Sequence, residues 1–131
     1  MLFEYQLPTS CEELYDITTQ IQNAIDKSNV ASGIAVVYCI HTTAGLTISE
    51  NSDPDVKHDI LMGLNKAYPK CDDYKHVENN SVAYLKATTM GSSIMIIIEN
   101  SKPLLGTWQS VYFCEFDQPR ERKFYIKILA S

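Results

Sequence analysis

His41 ends an apolar, β-branched run, and the residues that follow it include Thr42, Thr43, Glu50, Asn51, Asp53 and Asp55. Loops need polar side chains to meet water, but the stretch CIHTTAGLTISENSDPDV carries more acid/base and hydrogen-bonding types than solvation requires. An imidazole at a strand end is held rigidly and can face a cleft, where the neutral ring acts as a general base or a metal ligand. The plainer alternative is a histidine that closes the strand with hydrogen bonds. His76 lies in DDYKHVENNS, a polar segment without a regular period, and can approach a site from a second direction. The two histidines make an acid/base pair or a metal site conceivable, although their separation along the chain has no geometric content of its own. His58, two positions beyond apolar Val56 on a helical period, belongs to a solvated face.

Two further groups invite a chemical reading. In LLGTWQ the only tryptophan, Trp108, stands between Thr107 and Gln109 after Gly106, and its ring either stacks on a planar ligand or fills the core. In CEFDQPRER, Glu115, Asp117, Arg120 and Arg122 surround one turn. Surface ion pairs account for such a cluster, and so does a site for phosphate or pyrophosphate, which paired arginines bind well. No P-loop, dinucleotide fingerprint or nucleophile elbow is present.

The elements that must position these residues follow from periodicity. Phe3, Tyr5 and Leu7 alternate with polar residues as in a half-buried strand, and PTSCEEL then supplies a Ser/Thr cap with a glutamate three positions on, predicting a helix. Leu14, Ile17, Ile21, Ala24 and Ile25 form its apolar stripe, and it ends near Ser28 or Asn29. GIAVVYCI and GLTISE read as neighbouring strands. Asp53 before Pro54 marks a second helix start, with Val56, Ile60 and Leu64 inward. MIIIEN, WQSVYFCEF and KFYIKIL are three more strands, the last two joined as a hairpin by DQPRER. The result is an α+β domain with a mixed or antiparallel sheet and two main helices.

The chain has 131 residues, 45% hydrophobic and 21% charged, which suits a single domain over residues 1–131. A net charge of -5 with no basic tract leaves no electrostatic footprint for nucleic acid. No apolar run reaches the roughly 18 residues of a membrane span, and MLFEYQLPTS has neither a basic start nor an apolar signal core, so a cytoplasmic protein with no membrane partner is expected. Cys11, Cys39, Cys71 and Cys114 are widely spaced without a C-x-x-C pair, as reduced structural thiols would be.

Taken together, HTTAGLTISENSDPDV, HVENNSVAYLKATTMGSS and LLGTWQSVYFCEFDQPRER resemble the YjbQ-type family, whose members are described as secondary thiamine-phosphate synthases. The resemblance covers nearly the whole chain. It implies a compact α+β fold assembled as a homotrimer, with a site built from these motifs and shared between subunits. His41, Glu50, Asn51, Asp53, His76, Asn80, Trp108, Gln109, Glu115 and Arg120 occupy matching motif positions. Two departures stand out: Tyr84 where the family usually has a histidine, and Ser101 where it usually has a glycine. A phenol, with a pKa of about 10, is a hydrogen-bond donor at neutral pH more than a base or ligand, so Tyr84 weakens any three-histidine metal site.

The activity implied by the resemblance couples hydroxymethylpyrimidine pyrophosphate to thiazole phosphate and releases pyrophosphate. Such a step needs the diphosphate neutralised, the pyrimidine held flat and the thiazole nitrogen in line. On this reading His41, Glu50, Asn51, Asp53, His76 and Glu115 form the catalytic group. Asn80, Tyr84, Lys86, Trp108, Gln109, Arg120 and Arg122 bind the phosphorylated substrate. A divalent metal, magnesium or zinc, would be held by His41 and His76, or by Glu50 or Asp53 at the diphosphate. Two other readings use the same residues: a non-catalytic trimeric binding module for a small phosphorylated or anionic metabolite, and a metal-dependent hydrolase built on His41 and His76.

Overall fold

The computed structural model describes all 131 residues. In chain order the elements are strands β1 (Leu2–Pro8) and β2 (Glu13–Asp16), helix α1 (Thr18–Ser28), strands β3 (Gly33–Cys39) and β4 (Ala44–Glu50), helices α2 (Pro54–Ala67) and α3 (Ser81–Met90), and strands β5 (Ser93–Glu99), β6 (Lys102–Pro103), β7 (Gln109–Glu115) and β8 (Glu121–Ala130). They form a five-stranded sheet in the order β1-β8-β3-β5-β6 and a three-stranded sheet in the order β2-β7-β4. Every strand pairing is antiparallel. The domain is therefore α+β, as its mixture of periods predicts.

The small sheet is the middle layer. Val111 and Phe113 of β7 join Ala35 and Val37 of β3, Phe124 and Ile126 of β8, and the α1 stripe Ile21, Ala24 and Ile25 in one core. Tyr112 and Cys114 point the other way, into a second cluster with Leu14, Ala83, Ala87 and Phe116, against which Ile60 and Leu64 of α2 pack. A strand covered on both faces loses the apolar/polar alternation, and every β7 residue from Ser110 to Glu115 is buried. Cys39 and Cys114 are buried free thiols, and burial pushes Cys114 up to about 12, which keeps its sulfur protonated.

Three local expectations give way to tertiary packing. PTSCEEL does not open a helix: Glu13–Asp16 pairs with β7, which places Leu14 opposite Cys114 in the second core. The helix begins later, where the Asp16 carboxylate accepts the Thr18 N–H at 2.9 Å, and ends as expected at Ser28, followed by left-handed Asn29. Strands β7 and β8 are not a hairpin. Each is central to a different sheet, and residues 116–120 carry the chain between the layers around buried Phe116. The third helix, α3, carries no clear apolar stripe: it buries Ala83 and Ala87 and also Lys86. The start of α2 is as predicted, with the Asp53 carboxylate accepting the Asp55 N–H and Pro54 in the first turn.

The outer face of the large sheet is partly apolar, with Ile34, Tyr38, Met95, Ile97 and Leu129 all exposed. No helix is long and apolar enough to cross a membrane. At one end of the domain, the residues after β3, the β7–β8 crossover and the start of α3 converge, and His41, Asp117 and Asn80 are brought together there.

Candidate functional site

That convergence is anchored by a buried ion pair. Glu115, at the end of β7, is 0% exposed, and Arg122, near the start of β8, is 1% exposed. Arg122 Nε donates to Glu115 Oε1 at 2.6 Å, and its Nη2 donates both to Glu115 Oε2 and to Thr43 Oγ1, the latter at 2.9 Å. The carboxylate also accepts the Thr9 hydroxyl at 2.7 Å and the Asp117 N–H at 3.0 Å. Burial alone would raise the Glu115 pKa, but the bonds from Arg122, Thr9 and the Asp117 amide outweigh it and hold the carboxyl below its ordinary value. Expected as a catalytic carboxylate and a phosphate-binding cation, the two bond each other and the chain around them through Nε and Nη2 of Arg122, which also lines the cleft.

His41 packs beside this pair, edge-on to Phe113 with ring centroids 6.5 Å apart. Its Nε2 accepts the Lys123 N–H at 2.9 Å, so the strand-closing role is real, and the neutral ring carries its proton on Nδ1. Burial, then the Arg122 charge, lowers the His41 pKa, with Glu115 opposing. At neutral pH the ring is an uncharged donor at the edge of a cleft of about 510 Å³.

The cleft wall opposite His41 is built by Glu78, Asn80, Tyr84, Asp117 and Arg120. Arg120 Nη2 donates to Asp117 Oδ2 at 2.8 Å, and Asn80 Nδ2 donates to the same oxygen at 3.1 Å. Asn80 occupies the N-cap of α3, yet its side chain makes no capping bond, and its Oδ1 is buried with no partner. His76 lies on the far side of Tyr84, edge-on at 5.4 Å, with Nε2 3.6 Å from Glu78. His41 and His76 therefore line different clefts, with Tyr84 common to both.

The other expected site residues stand elsewhere. Ala44 pairs with Glu115 at the cleft end of β4, whereas Glu50 pairs with Gln109 at its far end, about 20 Å away at the usual strand rise. There the Ser52 hydroxyl and the Asp53 N–H both bond the Glu50 carboxylate and lower its pKa. Asn51 ties the chain to the β6–β7 connection: its N–H reaches the Trp108 carbonyl at 2.9 Å and its side chain the Gln109 carbonyl at 3.2 Å. Gln109 Oε1 accepts the Gly106 N–H, and Trp108 is 62% exposed. Lys86 is buried in a third place, bonded to Glu12 at 2.6 Å and to Asn65 at 2.5 Å. One chain thus separates the cleft group, His41, Asn80, Tyr84 and Arg120, from the corner group, Glu50, Asn51, Asp53, Trp108 and Gln109.

No three His, Cys, Asp or Glu side chains are placed to hold one metal ion within the chain. His41 has also committed Nε2 to a backbone amide and lines a different cleft from His76, so the expected two-histidine metal set does not fit. The motifs draw attention to Thr43 but not to Thr9, although both are buried hydroxyls that complete the ion pair, nor to Glu78 beside His76. A threonine two positions beyond a candidate histidine was the available signal for Thr43.

The profile of UPF0047 proteins, YjbQ-like, matches residues 3–131. A UPF0047 protein of Methanocaldococcus jannaschii is 55% identical, covering 100% of this chain and 96% of its own length. The UPF0047 protein YugU of Bacillus subtilis is 46% identical over 92% of each. A crystal structure of a YjbQ/UPF0047 family protein from Clostridium acetobutylicum superposes with a TM-score of 0.95 at 58% identity, covering 97% of this chain and 99% of that one.

Two predictions follow from the site's electrostatics. Removing one partner of a buried pair strands the other charge, so Glu115→Gln or Arg122→Met should each cost about 3–5 kcal/mol in urea unfolding, while the double variant Glu115→Leu/Arg122→Met should cost less than either. Because the folded Glu115 pKa is depressed, its contribution is complete above the ordinary carboxylate value of about 4.3 and is lost as pH falls through the folded value. The second concerns His41, whose folded pKa lies below the ordinary 6.5, so the unfolded chain takes up the proton first. Stability should fall as pH drops below about 6.5, and His41→Gln should flatten that part of the stability–pH curve. An unchanged slope in the variant would remove the burial argument.

Proposed function

The chain belongs to the family of YjbQ-like UPF0047 proteins, and from that premise we propose that it binds a small anionic metabolite, a phosphate monoester or a carboxylate, in the His41 cleft and does so in the cytoplasm. The observation that carries the reading is Asn80. An asparagine at a helix N-cap ordinarily accepts an N–H of the first turn. This one donates instead to Asp117 and leaves Oδ1 buried without a donor, an omission that costs about 1–3 kcal/mol unless something supplies one. A ligand N–H or O–H would satisfy it. The same Asp117 oxygen orients Arg120, whose remaining N–H groups suit an anionic group on the same ligand. His41 Nδ1–H adds a neutral donor. A phosphorylated aminopyrimidine has both an amino donor and an anion, which is how the thiamine-phosphate synthase reading joins this one.

The geometry supports binding ahead of diphosphate displacement. Neutralising a diphosphate takes several cations, and Arg122 and Lys86 are already paired inside the protein. The metal-dependent hydrolase reading draws no support from a donor set of fewer than three convergent side chains. Titration of hydroxymethylpyrimidine phosphate by calorimetry tests the proposal. Arg120→Ala should weaken binding about tenfold to a hundredfold, the scale of a charge-assisted hydrogen bond, and Asn80→Ala should weaken it less, while Lys57→Ala, over the Tyr112 ring and outside the cleft lining, changes nothing. An absence of saturable binding to the wild-type chain would overturn the reading.

We also propose that the chain assembles as a homotrimer. The exposed Ile34, Tyr38, Met95, Ile97 and Leu129 on the large sheet offer an apolar face to another copy. Association would also let the corner holding Glu50 and Trp108 approach a neighbour's cleft. Light scattering should give three times the 14.8 kDa chain mass, and Ile97→Lys with Met95→Lys should lower it; a monomer mass for the wild-type chain refutes the assembly.

A further inference from the structure

Three clefts meet at a single side chain. One is the His41 cleft of about 510 Å³. A second, about 420 Å³, runs along α3 past Ala87, Thr88 and Gly91. The third, about 500 Å³, opens around Tyr74, His76 and Leu85. Tyr84 lines all three, and it is the one residue that the third cleft shares with either of the others. Its ring is half-buried and packs edge-on against His76 at 5.4 Å, while its hydroxyl makes no hydrogen bond within the chain. The ring is thus held by packing, and it lines both the cleft that holds Arg120 and His41 and the one that holds His76.

We propose that Tyr84 is the residue that sets ligand length: a partition that confines an anionic ligand to the Arg120 side and keeps His76 out of its reach. The inference rests on the reading of the His41 cleft as an anion-binding site. The ligand class it selects is a phosphate or carboxylate carried on one ring or a short chain. With the ring removed, the three spaces join, and a second ring extending from the anchored anion gains a surface to bury against His76 and Leu85. The phenol oxygen has no part in this, because a partition acts by volume; a role through hydrogen bonding would depend on the hydroxyl instead.

A pair of aryl phosphates separates the possibilities. Phenyl phosphate and 4-biphenylyl phosphate carry the same anion on one ring or two, and both are titrated by calorimetry into the wild-type protein, Tyr84→Ala and Tyr84→Phe. Alanine is well tolerated at a half-buried helical position, and circular dichroism checks that the fold is kept. Phenyl phosphate gives each protein's one-ring reference affinity, against which its biphenylyl affinity is expressed. The biphenylyl ester should bind Tyr84→Ala about tenfold or more tighter than the wild-type chain, the gain of burying one further ring, and Tyr84→Phe should match the wild type. In Tyr84→Ala alone, the His76 imidazole NMR signals should shift on adding the biphenylyl ester. No gain in Tyr84→Ala, or an equal gain in Tyr84→Phe, overturns the partition. If Tyr84→Ala fails to fold, Tyr84→Leu replaces it with the same criteria. Failure of phenyl phosphate to bind any variant instead overturns the anion-site reading and the partition with it, whereas binding of phenyl phosphate without the biphenylyl gain overturns the partition alone.

Discussion

The structure turns on the buried pair between Arg122 and Glu115. Removing two charges from water is expensive, and the cost is met only when every lone pair and N–H of the pair finds a partner. Here the partners come from the whole chain: Thr9 after β1, Thr43 before β4, and the backbone of Asp117 in the crossover. Glu115 belongs to the small sheet and Arg122 to the large one, so the pair ties the layers together at the point where the chain passes between them. The alternation of β8 requires that Arg122 face inward with Phe124, Ile126 and Ile128. Buried arginine at that place is tolerable only with a carboxylate opposite, which the end of β7 provides.

The properties of the cleft follow from that anchor. Burial and then the Arg122 charge disfavour a proton on His41, and the Lys123 amide beside it occupies Nε2, so the imidazole is neutral with its remaining N–H at Nδ1. The Asp117 N–H bonded to Glu115 fixes the start of the crossover, and the Asp117 side chain in turn aims Arg120 and Asn80. A chain of net charge -5 thereby presents a local guanidinium and neutral donors in one hollow. The anion binding we propose rests on this local hydrogen bonding, since the overall charge opposes it.

The middle position of the small sheet explains why the polar motifs divide. Strand β4 runs the length of that layer, with Ala44 beside the ion pair and Glu50 at the opposite rim. At the rim, Glu50, Asn51 and Asp53 bond the backbone of the α2 entry and the β6–β7 connection, which is the ordinary work of short polar side chains at turns and caps. Trp108 is the member of that corner without such a duty, exposed on a turn whose backbone is otherwise pinned.

Much of the local structure was legible in the residues themselves. The β-branched run of β3, the alternation of β1 and the Asp53–Pro54 entry to α2 are signals a chain carries within a few positions, because strand pleating and helix capping are short-range constraints. The position of His41 at a strand end was legible for the same reason, and the combined motifs were specific enough to indicate the family. What the tertiary structure alone decided was partnership. The apolar, aromatic run of β7 and the alternation of β8 say that each is a strand, but their assignment to different sheets depends on which surfaces remain to be covered once β3 and β4 are placed. Helix α3 was hidden because its buried face mixes Ala83 and Ala87 with Lys86, whose charge is acceptable only beside Glu12 and Asn65. Arg122 and Lys86 looked like free cations for the same reason: a side chain's partner is set by contacts between residues far apart in the chain, and no periodicity records those.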